Sequence, residues 1–220
     1  MLAKDLISEE IPALKPSDSV EKALGWMEEF KLTEIPLVVG STYQGLISEG
    51  DLLDVDDSSI SIKEAQAERN RIFVTEYEHI YEVIGKMAGQ QLSILPVISD
   101  DKQYIGAICL NTLVEKISNL GAMKDPGGII TLEMNVNDYT LSEISNIVES
   151  NGAKILSSYI ATHDDSNKMD VTIKINRTDL SAIIQTFERY NYAVVASFHK
   201  SEMEDDMKRR YDAFLHYLNM

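Results

Sequence analysis

An α+β fold in two modules is what this sequence predicts, on three observations. A pattern about 60 residues long occurs twice. A glycine- and proline-rich break runs from Gly121 to Gly128. Beyond it the order strand, helix, strand, strand, helix, strand fills the rest of a chain of 220 residues, a length that suits two modules of ordinary size.

In the first copy Val20, Ala23, Leu24 and Met27 form a helical stripe, followed by the apolar strand Ile35-Pro36-Leu37-Val38-Val39 and then Gly45-Leu46-Ile47-Ser48. In the second, Ile80, Val83, Ile84 and Met87 recur at the same spacing, followed by Ile94-Leu95-Pro96-Val97-Ile98 and Gly106-Ala107-Ile108-Cys109. Gly25 aligns with Gly85 and Pro36 with Pro96. Each copy reads as an opening segment, an amphipathic helix, two short strands joined by a polar turn, and a closing helix that begins near Glu49 or near Asn111. A proline lacks the amide of a ladder donor, so both prolines are expected at the mouth or edge of a strand.

After the break, Ile129 to Val136 alternates as a strand and Leu141 to Ser150 carries helical spacing, with Thr140 as its N-cap and Asn151-Gly152 as its stop. Strands follow at Ala153 to Thr162 and at Val171, Ile173 and Ile175, separated by the turn-rich His163-Asp164-Asp165-Ser166-Asn167. Thr178 or Asp179 caps a helix with Leu180, Ile183, Ile184 and Phe187, and Tyr192 to Phe198 is the last strand. This βαββαβ order predicts a four-stranded antiparallel sheet backed by two helices, the ferredoxin-like arrangement. Met207, Tyr211, Phe214, Leu215 and Leu218 put one apolar stripe on a charged C-terminal helix over 201–220.

Composition narrows the function classes. Against 20 Lys and Arg stand 36 Asp and Glu, a net charge of −16, with both halves acidic, so the field opposes nucleic acid. One cysteine allows no internal disulfide, and Met1 to Pro12 carries acids where a signal peptide needs an apolar run. A cytoplasmic protein without membrane or nucleic-acid partners is expected. The histidines lack zinc spacing, and neither a P-loop, a Gly-x-Ser-x-Gly elbow nor a His-Glu-x-x-His motif is present. No cofactor and no enzymatic activity are expected. His163-Asp164-Asp165 has the composition of a hairpin turn more than of a metal site, and Cys109 reads as a small core residue.

The duplicated helix, apolar-Pro-apolar strand and Gly-apolar-apolar-Ser-x-x-Asp pattern resembles a tandem pair of CBS domains, a Bateman module, over residues 1–60 and 61–122. The βαββαβ part, residues 127–200, resembles an ACT domain, and the order CBS, CBS, ACT is similar to the acetoin-utilisation (AcuB-type) proteins of bacteria. The resemblance implies an adenosine-containing ligand (AMP, ADP, ATP or S-adenosylmethionine) in a cleft between the copies, its ribose held by Ser48 and Asp51. It also implies that Ile35 and Leu95 flank the adenine and that Pro36 and Pro96 shape the strands. Lys15, Lys31, Arg69, Arg71 and Lys102 are the few counter-charges available to a phosphate, and of these Arg69 and Arg71 cluster, which makes Arg71 the expected contact.

Chemistry agrees with this assignment: a carboxylate can accept from two vicinal hydroxyls, and a helix N-terminus favours nearby anions. Ser48 equally reads as a helix N-cap and Asp51 as a first-turn acid, while Ile35 and Leu95 read as core. The second copy departs from the pattern, with Cys109 and Thr112 where serine and aspartate would stand, so at most one competent ribose site is expected. The ACT-like loop Asn135 to Leu141 lacks the glycine of amino-acid-binding relatives, which favours an assembly role. Asn137 and Asp138 are the residues of any ligand loop there. Two functions remain open: a regulatory sensor acting on an unknown protein, and a ligand-free interaction module. A homodimer is expected under both.

Overall fold

The computed structural model describes residues 1–8, 10–163 and 165–198; the C-terminal stripe expected over 201–220, with His199, His216 and Asp164, lies outside the described residues. The chain divides into two compact units, the first from Met1 to Ile117 and the second from Ser118 onward.

The first unit holds α1 (Val20–Phe30), β1 (Glu34–Val39), β2 (Thr42–Ser48), α2 (Glu49–Leu53), α3 (Ile62–Ala65), β3 (Val74–Thr75), α4 (Ile80–Gln90), β4 (Ile94–Ile98), β5 (Tyr104–Cys109) and all but the last residue of α5 (Leu110–Ser118). The repeat is visible atom by atom. Helices α1 and α4 bury Val20, Ala23 and Met27 or Ile80, Val83 and Met87, because those spacings fall on one side of a helix. Both end in a left-handed residue, Lys31 or Gln91, at equivalent positions. Hairpins β1-β2 and β4-β5 share one register, Ile35 opposite Ile47 and Leu95 opposite Ile108, with an irregularity after Leu37 and after Val97.

The two prolines are inside their strands, each the third residue, and not at the mouth. For Pro36 the reason is in the hydrogen bonds: its carbonyl accepts from the Leu14 amide at 2.8 Å. The carbonyl and nitrogen of one strand residue face the same side, so the missing N–H falls on the side where pairing to Leu14 is only a single parallel bridge.

The segments that precede the repeats are exchanged. Ser8, ahead of the first repeat, pairs with Ala107 of β5, and Asn70, ahead of the second, pairs with Leu46 of β2. Each then returns to its own repeat in parallel, Leu14 beside Leu37 and Val74 beside Val97. The crossings pass over Gly45 (φ +143) and Gly106 (φ +153), where a Cβ would meet Arg69 Cβ at 2.8 Å or Ile7 Cγ2 at 2.5 Å.

The second unit holds β6 (Gly128–Asn135), α6 (Leu141–Ser150), β7 (Ile155–Thr162), β8 (Lys168–Ile175), α7 (Ser181–Arg189) and β9 (Ala193–Phe198). The sheet order is β7-β8-β6-β9, antiparallel throughout, which is the ferredoxin-like topology. Alternate residues Ile130, Leu132 and Met134 of β6 face Ile144, Val148 and Phe187 of the helices in one core. Two expected caps differ. Thr140 occupies the N-cap position of α6 but its side chain makes no cap bond. Helix α7 starts later than expected: Leu180 is drawn into the core at 1% exposure, and Asp179 Oδ1 accepts from the Ser181 amide at 3.0 Å.

Candidate functional site

Strand β2 ends at Ser48 and α2 begins at the next residue, so the Ser48 side chain stands at a helix N-terminus. Its Oγ accepts from the Asp51 amide at 3.1 Å and donates to Asp51 Oδ2 at 2.6 Å. The i, i+3 spacing produces this geometry, since the first turn of a helix brings the N-cap side chain over the third amide. Both residues are half-buried. The pair offers one hydroxyl and one carboxylate at the positive end of a short helix, a set that can accept from vicinal hydroxyls.

Beside it lies a junction between the repeats that the sequence reading missed. Glu34, in register with Ser48, accepts at Oε2 from the Ser93 amide at 3.0 Å and the Ser93 hydroxyl at 2.7 Å. Ser93 Oγ in turn accepts from the Thr33 amide at 2.9 Å. Thr33 and Ser93 hold equivalent places in the two copies, so the alignment of the repeats was the available signal.

At the equivalent turn of the second repeat, Ser8 from the exchanged segment occupies the polar positions. Its Oγ donates to Thr112 Oγ1 at 2.8 Å and accepts from the Cys109 amide at 3.2 Å. Cys109 is buried, and burial pushes its thiol up, with the Ser8 hydrogen bond pulling the other way.

The remaining expected residues are distributed. Ile35 and Leu95 have 0% exposure and pack in the core, and Pro36 and Pro96 are buried beside them. Arg71 lines another cavity, with Thr42, Tyr43, Phe73 and Lys102, at the hairpin-turn end of β2. Ser48 is five residues along that strand from Tyr43, a distance of roughly 16 Å. The structure therefore brings Ser48 and Asp51 together and leaves Arg71 apart from them.

In the second unit Asn137 is exposed, and Asp138 Oδ2 accepts from Asn135 Nδ2 at 2.7 Å on the wall of a cavity of about 400 Å3. Polar groups around that cavity bond to one another: Lys168 Nζ meets Glu133 Oε1 at 2.6 Å, and the Tyr192 hydroxyl donates to Glu143 at 2.9 Å. Burial, with Glu143 beside it, pushes Tyr192 up to about 12. Among the described residues no cluster of His, Cys, Asp and Glu could hold a metal, and His163 Nε2 instead faces Asp170 Oδ2 at 3.2 Å. Among the same residues no helix is long and apolar enough to cross a membrane.

Comparison with known proteins agrees with the repeat. Inosine-5'-monophosphate dehydrogenase of Korarchaeum cryptofilum is 23% identical over 194 residues, 88% of this chain. The chain spans 38% of that relative's length. Among solved structures, an acetoin utilization protein (AcuB) from Vibrio cholerae matches at 19% identity and a TM-score of 0.49, over 56% of this chain and 95% of its own. CBSX2 in complex with AMP matches at 21% identity and a TM-score of 0.45, over 53% of this chain and 95% of its own. The family model described as CBS domain matches residues 3–58 and 62–119, the two copies of the repeat and just over half the chain, and the protein belongs to the CBS-domain family.

Proposed function

We propose that this protein is a regulatory sensor that binds one adenosine-containing ligand (AMP, ADP, ATP or S-adenosylmethionine) per CBS pair and passes the signal through homodimer contacts to another protein. The observation that carries the reading is the Ser48–Asp51 pair at the N-terminus of α2, with no equivalent pair in the second repeat, where Ser8 bonds Thr112. In this reading Asp51 gives up the Ser48 hydrogen bond and accepts from the ribose hydroxyls, while Ser48 keeps its cap on the Asp51 amide. Binding switches the protein only if two arrangements differ in affinity for the ligand. The second unit serves assembly as an ACT-like domain, and the cytoplasm is the proposed compartment.

One observation favours the ligand-free interaction module: Ser48 and Asp51 already satisfy each other as a helix cap. Titration of nucleotide-stripped protein with AMP, ADP, ATP and S-adenosylmethionine separates the two. The sensor requires a saturable thermal shift from at least one of them, and an Asp51→Ala dissociation constant raised by about 5- to 150-fold, the scale of one unpaired buried polar partner. Silence across the four, or an Asp51→Ala variant that binds as tightly as the parent, leaves the interaction module.

A further inference from the structure

We propose that the cavity between the two hairpin turns of the first unit is a second ligand site, built for a small aromatic carboxylate or phosphate ester. The cavity measures about 560 Å3, within the range of small-molecule sites. Its walls come from three parts of the chain: Thr42 and Tyr43 of the first hairpin, Arg71 and Phe73 of the segment joining the repeats, and Ser99 and Lys102 of the second hairpin.

The walls are tied to one another before any ligand arrives. Thr42 bridges Gln103, and the Tyr104 amide donates to the Ser41 carbonyl at 2.8 Å, so the two turns are fixed together. The Tyr43 hydroxyl donates to the Ile72 carbonyl at 2.9 Å, holding the segment that carries Arg71 and Phe73. The Tyr43 ring meets Phe73 edge-on at 6.3 Å and stacks with Tyr104 at 6.4 Å. Burial pushes the Tyr43 phenol above its ordinary value, so it stays a neutral donor. Lys102 is held in the left-handed region (φ 62) by a turn in which its amide donates to the Ser99 carbonyl at 2.9 Å.

Charge and surface then select the ligand. In a chain of net charge −16, Arg71 and Lys102 are exposed beside one cavity, and among the described residues neither forms an ion pair. Asp100 is the acid among the residues lining it, which leaves the wall net positive. A guanidinium and an ammonium take a carboxylate or phosphate through charge-assisted hydrogen bonds, and the Thr42 and Ser99 hydroxyls add neutral donors. Phe73 and Tyr43 supply ring surface. A ligand here touches both repeats at the opposite end of β2 from Ser48, so its occupancy is independent of Asp51.

The test is calorimetric titration of the full chain with phenyl phosphate and, separately, benzoate, which distinguishes phosphate from carboxylate as the preferred head. Saturable binding of either probe is expected, weakened by about tenfold in Lys102→Gln and in Arg71→Gln and unchanged in Asp51→Ala. Lys102 is an exposed turn residue, so Lys102→Gln keeps the parent melting temperature. Failure of both probes to bind at millimolar concentration overturns the proposal. So does binding that ignores Lys102→Gln or is lost in Asp51→Ala. AMP binding is read on the same variants, and its loss in Asp51→Ala alone shows the two sites to be separate.

Discussion

Glu78 lies between the segment that joins the repeats and helix α4. Its Oε1 accepts from the Thr75 amide at 2.8 Å, and its Oε2 meets Lys86 Nζ at 2.8 Å. Partial burial raises its carboxyl, but the Lys86 and Thr75 hydrogen bonds outweigh that and hold it below its ordinary value. A depressed carboxylate contributes stability that is present above the unfolded-state value and is lost as pH falls through the folded-state value. Glu78→Gln is therefore expected to lower stability by about 1 kcal/mol at pH 7, and the difference to fade below about pH 4. Urea unfolding of both proteins at pH 7 and pH 3 checks this; a difference that grows in acid contradicts it. Single residues were legible where their partners are close in sequence, as with Ser48 and Asp51 three positions apart. Ser8 and Thr112 meet only because the repeats exchange segments, and Glu34 and Ser93 only because the two hairpins pack together, and no local pattern announces either.

At the scale of elements, periodicity revealed the helices and hairpins because each repeat presents the same apolar faces twice. The interior position of Pro36 was not legible, since it depends on which side of β1 a neighbouring strand pairs. The exchanged segments were hidden for the same reason, and Gly45 is where they leave a trace. Its φ of +143 and the 2.8 Å approach of Arg69 Cβ to an added Cβ leave an alanine two penalties, backbone strain and overlap with a rigid neighbour. Gly45→Ala is expected to cost roughly 1–3 kcal/mol and to loosen the pairing of Asn70 with Leu46. Gly25→Ala on helix α1, where nothing lies within 4 Å of the added Cβ, is the control and should be neutral or mildly stabilising. Hydrogen exchange of the Asn70 and Leu46 amides, alongside melting curves, distinguishes a local opening from general destabilisation. Unchanged protection in Gly45→Ala contradicts the crossing seen here.

The whole molecule carries two cores with separate residue sets, one built on the repeats and one around Ile130, Val171, Ile173 and Phe187. A ligand stabilises only the cooperative unit it binds, by about 2.7 kcal/mol at a hundred times its dissociation constant. The expected calorimetric trace has two transitions, of which AMP or another adenosine-containing ligand moves one. Phe187, fully buried at 0% exposure, identifies the other: Phe187→Ala should cost the second unit about 3–5 kcal/mol, leaving the ligand-responsive transition in place. In a unit of this size each kcal/mol shifts the midpoint by roughly 4–8 °C, so the two effects separate clearly. If Phe187→Ala and ligand move one shared transition, the units unfold together. Such coupling would give the proposed sensor function a direct thermodynamic route from the CBS pair to the ferredoxin-like sheet, because stabilising either unit would then bias the other.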